Sequence, residues 1–183
     1  QADFFLALLE RLDPDLYWWT YAANTDPDRL ADLVLDPWLI PGFSDSGAHI
    51  VNMAFYDVNL RALQIAKTRG LDAVAFTVRR LTREPAEFFG LDTGTLEIGA
   101  QADVTLVDPR ALETYNSEEN VTSQWREVFE HDQLVNRAPG VVPLVLIRGA
   151  IVWENEAYGE TLGEVALGRA LRNRRAVANQ RGH

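Results

Sequence analysis

The 183-residue chain has no cysteine, which excludes both a disulfide framework and a thiolate zinc site. Apolar runs are short. None approaches the ~20 residues needed to span a bilayer, and residues 1–20 lack the basic start and small-residue cleavage site of a signal peptide. Basic residues are also scarce, 17 against 27 acidic, for a net charge of −10. That balance disfavours nucleic acid and anionic membranes as partners. The expected compartment is cytoplasmic. Histidine occurs three times, at His49, His131 and His183, and no two are spaced i, i+2 or i, i+4 as a local metal site would need. There is no GxGxxG, no P-loop and no nucleophile elbow.

What is present is a packed globular composition, 47% hydrophobic with five tryptophans. Phe4, Phe5, Leu8, Leu9 and Leu12 follow helical spacing up to Asp13-Pro14. Residues 16–22, LYWWTYA, are aromatic and β-branched enough for a buried strand. Asn24 to Pro27 caps a second helix, with Leu30, Leu33 and Val34 inward. Asp36-Pro37 breaks it, and 38–43 reads as another strand. Helix, strand, helix, strand is the order of an α/β parallel sheet. Two further helices follow. One has Val58, Ala62, Leu63, Ile65 and Ala66 inward up to Gly70. The other has Leu71, Val74, Ala75, Val78 and Leu81 inward, and a short turn from Thr82-Arg83-Glu84-Pro85 ends at Gly90.

From Gly94 the texture changes to short strands with glycine turns. Ala102 to Asp108 is one strand, and 144–147 with 150–153 forms a hairpin around Arg148-Gly149. His131-Asp132 reads as part of a polar loop. The expected organisation is 1–91, 92–165 and a tail at 166–183, helical or frayed. The tail is basic: residues 169–183 hold five arginines and no acid, which leaves −15 on residues 1–168.

The segment with most chemistry in it is IPGFSDSGAH, residues 40–49. Asp and Gly at a strand end are ordinary turn formers. If the strand is parallel, however, Asp45 sits at its carboxyl end, the face where α/β folds build ligand sites. An Asp there can shuttle protons for a metal-bound water. A His four residues on can fold back to hydrogen-bond a substrate oxygen. Ser44 and Ser46 have an acid nearby but no suitable base, which makes a serine nucleophile a weak idea.

Two stretches carry a family resemblance. SDSGAH at 44–49 is similar to the last barrel strand of the amidohydrolase superfamily, and within it to the N-acyl-D-amino-acid deacylases (D-aminoacylases). LTREPAEFFGLDTGTLEIGAQADVTLVDP at 81–109 resembles that family's crossing from its last barrel helix into a small β domain. In physical terms Thr82 can cap, Gly94 and Gly99 permit tight turns, Val104, Leu106 and Val107 pack, and Asp103 holds a turn through a backbone hydrogen bond.

The resemblance implies an α/β fold: the last strand–helix units of a (β/α)₈ (TIM) barrel, followed by part of a small β-sandwich domain. It implies a hydrolase of non-peptide C–N bonds, with Asp45 as catalytic acid/base and a conceivable metal ligand. His49, Ser46 and Gly47 would contact a small N-acyl amino acid or related amide. It implies zinc or another divalent metal in the complete enzyme. The family's H-x-H and mid-barrel histidines have no counterpart here, and Lys67, the one candidate for a carbamate, falls on a helix after the last strand. The chain is therefore expected to be the C-terminal part of a longer enzyme. Alone it should be inactive and bind the metal poorly, and it should self-associate or need its upstream part. Alternatives within the superfamily are a cyclic-amide hydrolase or a deaminase. Outside it, the alternative is a non-catalytic interaction module.

Overall fold

The structure, a computed structural model, describes residues 2–12, 23–42 and 53–173. The chain divides into two compact units, Gln1–Leu30 and Ala31–His183. The first unit contains helix α1 (Ala2–Leu12), where the sequence spacing predicts it. Leu8 and Leu9 are half-buried and the remaining positions exposed. The expected strand at 16–22 lies outside the described residues.

Helix α2 (Pro27–Val34) starts as its sequence demands. The Asp26 carboxylate accepts the backbone N–H groups of Asp28 and Arg29, both at 3.1 Å, and Pro27 takes the first helical position. Ala31 is its buried residue. Leu33, expected inside, is 51% exposed. Beyond α2 the expectation of a strand fails for the part described, 38–42. Asp36 accepts the N–H of Trp38 at 2.7 Å and folds the chain into a turn. Pro37 and Pro41 also remove two donors that a sheet ladder would need. Trp38 is left 91% exposed.

Helices α3 (Val58–Lys67) and α4 (Leu71–Leu81) pack together, joined through Gly70 at φ 101°, and α5 (Arg83–Phe89) follows at once. The inner face of α4 differs from the apolar spacing. Thr77 and Arg80 are its buried residues, while Leu71 is 85% exposed and Ala75 and Val78 also face water. Arg80 has specific partners to satisfy, and those outweigh the burial of two small apolar side chains. Thr82 does not cap α5 with its side chain. Its hydroxyl turns back to the carbonyl of Val78 at 2.7 Å. Gly90, at φ 66°, ends α5 in the left-handed conformation that costs glycine nothing.

The remaining elements build two sheets. In one, β2 (Val104–Leu106), β5 (Leu144–Ile147), β6 (Ala150–Glu154) and β7 (Ala157–Tyr158) lie in that order, every pair antiparallel. The hairpin at Arg148-Gly149 is present, with both residues at positive φ. Asp103 does hold a turn, but one 45 residues away: its carboxylate accepts the N–H of Arg148 at 2.8 Å, and Gly149 donates to the carbonyl of Ala102 at 2.9 Å.

In the other sheet the order is β1 (Met53–Ala54), β4 (His131–Asn136), β3 (Val121–Arg126). Here β1 runs parallel to β4, and β3 antiparallel to it. His131 and Asp132 are thus strand residues, where a loop was expected. Glu130 at φ 47° lets the chain reverse between β3 and β4. In the chain between β2 and β3 comes α6 (Pro109–Thr114), capped by Asp108 on the N–H groups of Arg110 and Ala111.

The architecture is mixed α/β with small sheets. Among the described residues no barrel closes, and the parallel pairing is β1 with β4, where 38–43 was expected to supply it. Leu112, Tyr115 and Val141 form the core, with Leu60, Leu63, Val107 and Val142 packed against them. Residues 166–173, part of the expected basic tail, are not helical, and Asn173 donates to the carbonyl of Phe89 at 2.7 Å. No helix among the described residues is long and apolar enough to cross a membrane.

Candidate functional site

Asp45, Ser46, Gly47 and His49, the residues singled out by the sequence, lie outside the described residues. What the structure does describe is how the chain is held on either side of them.

On the approach, Arg80 is 4% exposed. One of its terminal nitrogens donates to the carbonyl of Pro37 at 2.8 Å and to the Glu84 carboxylate at 2.9 Å; the other reaches the carbonyl of Asp36 at 3.3 Å. The guanidinium lies 5.5 Å from the Phe76 ring centroid, and Glu84 also meets Arg79 at 3.1 Å. A planar fork with five donors suits this task better than a lysine, because it can hold two adjacent carbonyls and a carboxylate at once. Among the described residues, Arg80 Nε and the Thr77 hydroxyl, both buried, have no hydrogen-bond partner.

On the far side, β1 continues into a buried polar network. The N–H of Tyr56 donates to Asn136 Oδ1 at 3.1 Å. Asn136 Nδ2 donates to Ser117 Oγ at 3.1 Å and more distantly to the Tyr115 hydroxyl at 3.5 Å. The Tyr115 hydroxyl donates to Asp57 Oδ2 at 2.9 Å. Asp57 is 8% exposed and Asn136 3%. Burial, and then the Asp57 carboxylate beside it, push the Tyr115 phenol up to about 12. Tyr115 is therefore a hydrogen-bond donor at neutral pH and not a base.

The sequence reading missed this network and Arg80. Asp57 stands before Val58 at a helix start, and such an Asp reads as a cap. Its side chain caps nothing and is committed to Tyr115, 58 positions away. A contact that distant leaves no mark in local spacing. For Arg80 a faint signal existed in Arg80 and Glu84 at i, i+4, which reads equally well as a solvent-exposed pair.

The implied metal can be tested against the donors in view. Among the described residues no three His, Cys, Asp or Glu side chains stand together as a ligand set. His131 is exposed on β4, and Asp57 is taken by Tyr115. The Lys67 ammonium donates to Glu113 at 2.7 Å and to the carbonyl of Pro109 at 2.8 Å, which ties α3 to α6 and leaves no amine poised as a carbamate. The described residues do not fit a metal site.

No family model matches the chain. No solved structure matches it significantly. An uncharacterised protein of Mycobacterium tuberculosis (strain ATCC 25618 / H37Rv) is 34% identical over 167 residues, covering 86% of this chain and 26% of that protein. The chain thus spans about a quarter of the length of this relative. A dihydroorotase of Geotalea daltonii is 28% identical over 95 residues, 52% of this chain and 21% of the enzyme. A dihydroorotase of Geobacillus thermodenitrificans is 36% identical over 90 residues, 43% of this chain and 18% of the enzyme. In part of its length, then, the chain is similar to dihydroorotases, which are members of the amidohydrolase superfamily.

Proposed function

We propose that the chain is part of an amidohydrolase that cleaves a C–N bond other than a peptide bond, and that its substrates are N-acyl-D-amino acids. The observation that carries the superfamily is the partial similarity to two dihydroorotases. The deacylase branch rests on SDSGAH followed about 40 residues on by the 81–109 signature. In this reading Asp45 accepts a proton from the attacking water and delivers it to the leaving nitrogen. His49 hydrogen-bonds the carbonyl oxygen of the substrate, and Ser46 and Gly47 line its approach. Zinc or another divalent metal belongs to the complete enzyme, and Asp45 is the residue of this chain proposed to reach it.

A second reading, hydrolysis of a cyclic amide, is favoured by the names of the same two relatives.

The test is a substrate panel on the full-length protein, with N-acetyl-D-amino acids, N-acetyl-L-amino acids and cyclic amides side by side. Asp45→Asn keeps the shape and removes the proton acceptor, so kcat should fall by roughly 10²–10⁴-fold with KM little changed. His49→Asn should raise KM as well. If Asp45 only forms a turn, Asn replaces it well, and near-normal turnover at confirmed metal content would overturn the catalytic role.

A further inference from the structure

We propose that residues 166–173 form a releasable strap, latched by the Asn173 side chain in a notch that Gly90 leaves at the end of α5. The segment contains no helix or strand, and each of its residues except the half-buried Leu167 is exposed. Among the described residues, 166–172 take part in no backbone–backbone hydrogen bond. Side chains hold the segment instead. Asn173 Nδ2 donates to the carbonyl of Phe89 at 2.7 Å, and Arg169 reaches the carbonyl of Asp92 at 3.4 Å.

The end of α5 is suited to such a guest. The last carbonyls of a helix have no partner within it, and their partial negative charge favours donors and cations. Asn173 supplies that partner from 84 positions away. Gly90 decides how closely it can approach. A Cβ built on Gly90 would stand 2.8 Å from Asn173 Nδ2 and 3.1 Å from its Cγ. The obstructed atoms belong to the end of a flexible side chain, so an added methyl would evict the latch and leave the helix in place. Gly90 therefore does two things: it takes the left-handed turn at φ 66°, and it makes room for the amide.

A segment with exposed residues and no backbone ladder opens locally, at far less cost than the fold as a whole. Gly90 and Asp92 also line a cleft of about 520 Å³, together with Arg83, Glu87 and Thr93. The strap is thus fastened to one wall of that cleft, and its release frees the wall without unfolding the body.

Limited trypsin digestion of the full-length protein, followed by mass spectrometry, reads strap opening at the bond between Arg169 and Ala170. In wild type this bond should be cut well before the bond after Arg80, which is 4% exposed and opens only with the body. Asn173→Ala should raise cleavage at Arg169 about 3- to 10-fold, the change expected for one hydrogen bond when cleavage tracks the open population. Gly90→Ala should do the same. The double variant should exceed Gly90→Ala by less than about 2-fold, because both changes remove one latch. Gly99→Ala carries the same backbone strain with no neighbour to displace, and cleavage at Arg169 should stay within about 2-fold of wild type. Wild-type cleavage at Arg169 in Asn173→Ala, an exposed change that leaves the core intact, would overturn the latch. Equal cleavage at Arg169 and Arg80 in wild type would overturn independent release. Additive effects of Gly90→Ala and Asn173→Ala would overturn the role of the notch.

Discussion

Gly94→Ala should be among the most damaging single-methyl additions in the 81–109 signature. Gly94 has φ 81°, and a Cβ built on it would stand 2.6 Å from the carbonyl oxygen of Thr82, 2.9 Å from that carbonyl carbon and 3.1 Å from the Ala86 Cβ. The obstruction is mostly backbone, at the junction of α4 and α5, and it cannot swing aside as a side chain would. The left-handed conformation costs a non-glycine residue ~1–2 kcal/mol. Overpacking against rigid neighbours adds ~1–3 kcal/mol. Gly99 provides an internal control, because its φ of 90° imposes the same backbone cost while a Cβ there meets nothing within 4 Å. Gly99→Ala should therefore lose only the first part. Urea denaturation of the two variants and the wild type should place Gly94→Ala about 1–3 kcal/mol below Gly99→Ala, or roughly 2–12 °C in Tm for a protein this size. Equal losses would refute the steric half of the reasoning and leave conformation alone as the cause.

Two further outcomes follow from the buried polar groups. The Tyr115 phenol titrates at about 12 in the fold against an ordinary 10.0, so its contribution to stability is complete below pH 10 and is lost as pH rises toward 12. Wild type should lose on the order of 1 kcal/mol more than Tyr115→Phe between pH 9 and pH 11, read from denaturation midpoints; parallel curves would refute it. Arg80→Met should cost about 1–3 kcal/mol, because it takes the donor from the carbonyls of Asp36 and Pro37 and leaves Glu84 with Arg79 alone. Arg80→Lys should recover less than half of that, and a loss under about 1 kcal/mol for Met would show that solvent replaces the fork.

Where one residue's chemistry sets local conformation, the sequence was legible. Asp26-Pro27 opens α2, Gly90 closes α5, and Arg148-Gly149 turns the β5–β6 hairpin. The orientation of α4 was not legible, because apolar spacing weighs side chains by hydrophobicity and could not register that Arg80 would be buried by its partners. Nor was the pairing of β1 with β4, whose partners are 81 positions apart and of which the first is only two residues long. The same holds for the strand expected at 38–43. Its apolar composition argued for a sheet, while in the described part, 38–42, Asp36 sets a turn at Trp38 and Pro41 removes a donor. Of the candidate site, Asp45 and His49 come from the sequence alone and lie outside the described residues, while the structure supplied Arg80 and the Tyr115 network in the segments before and after them. Local pattern can point to candidate groups, but long-range contacts such as that of Tyr115 with Asp57 carry no periodic signature.

The tie between Asp103 and Arg148 has a consequence for how the protein folds. β2 pairs with β5, whose nearest residue in register, Leu144, lies opposite Leu106. During synthesis β2 emerges long before it has a neighbour. The β5–β6 hairpin, closed locally within microseconds, offers the first edge on which it can dock. Closing a loop of some forty residues costs only slowly more as the loop lengthens, so the intervening segment can vary in length with little penalty in stability. It does raise the share of non-local pairing, which slows folding. Until Arg148 leaves the ribosome, the Asp103 carboxylate and the backbone of β2 stay exposed to competing strands, and that interval is when the chain is most open to aggregation.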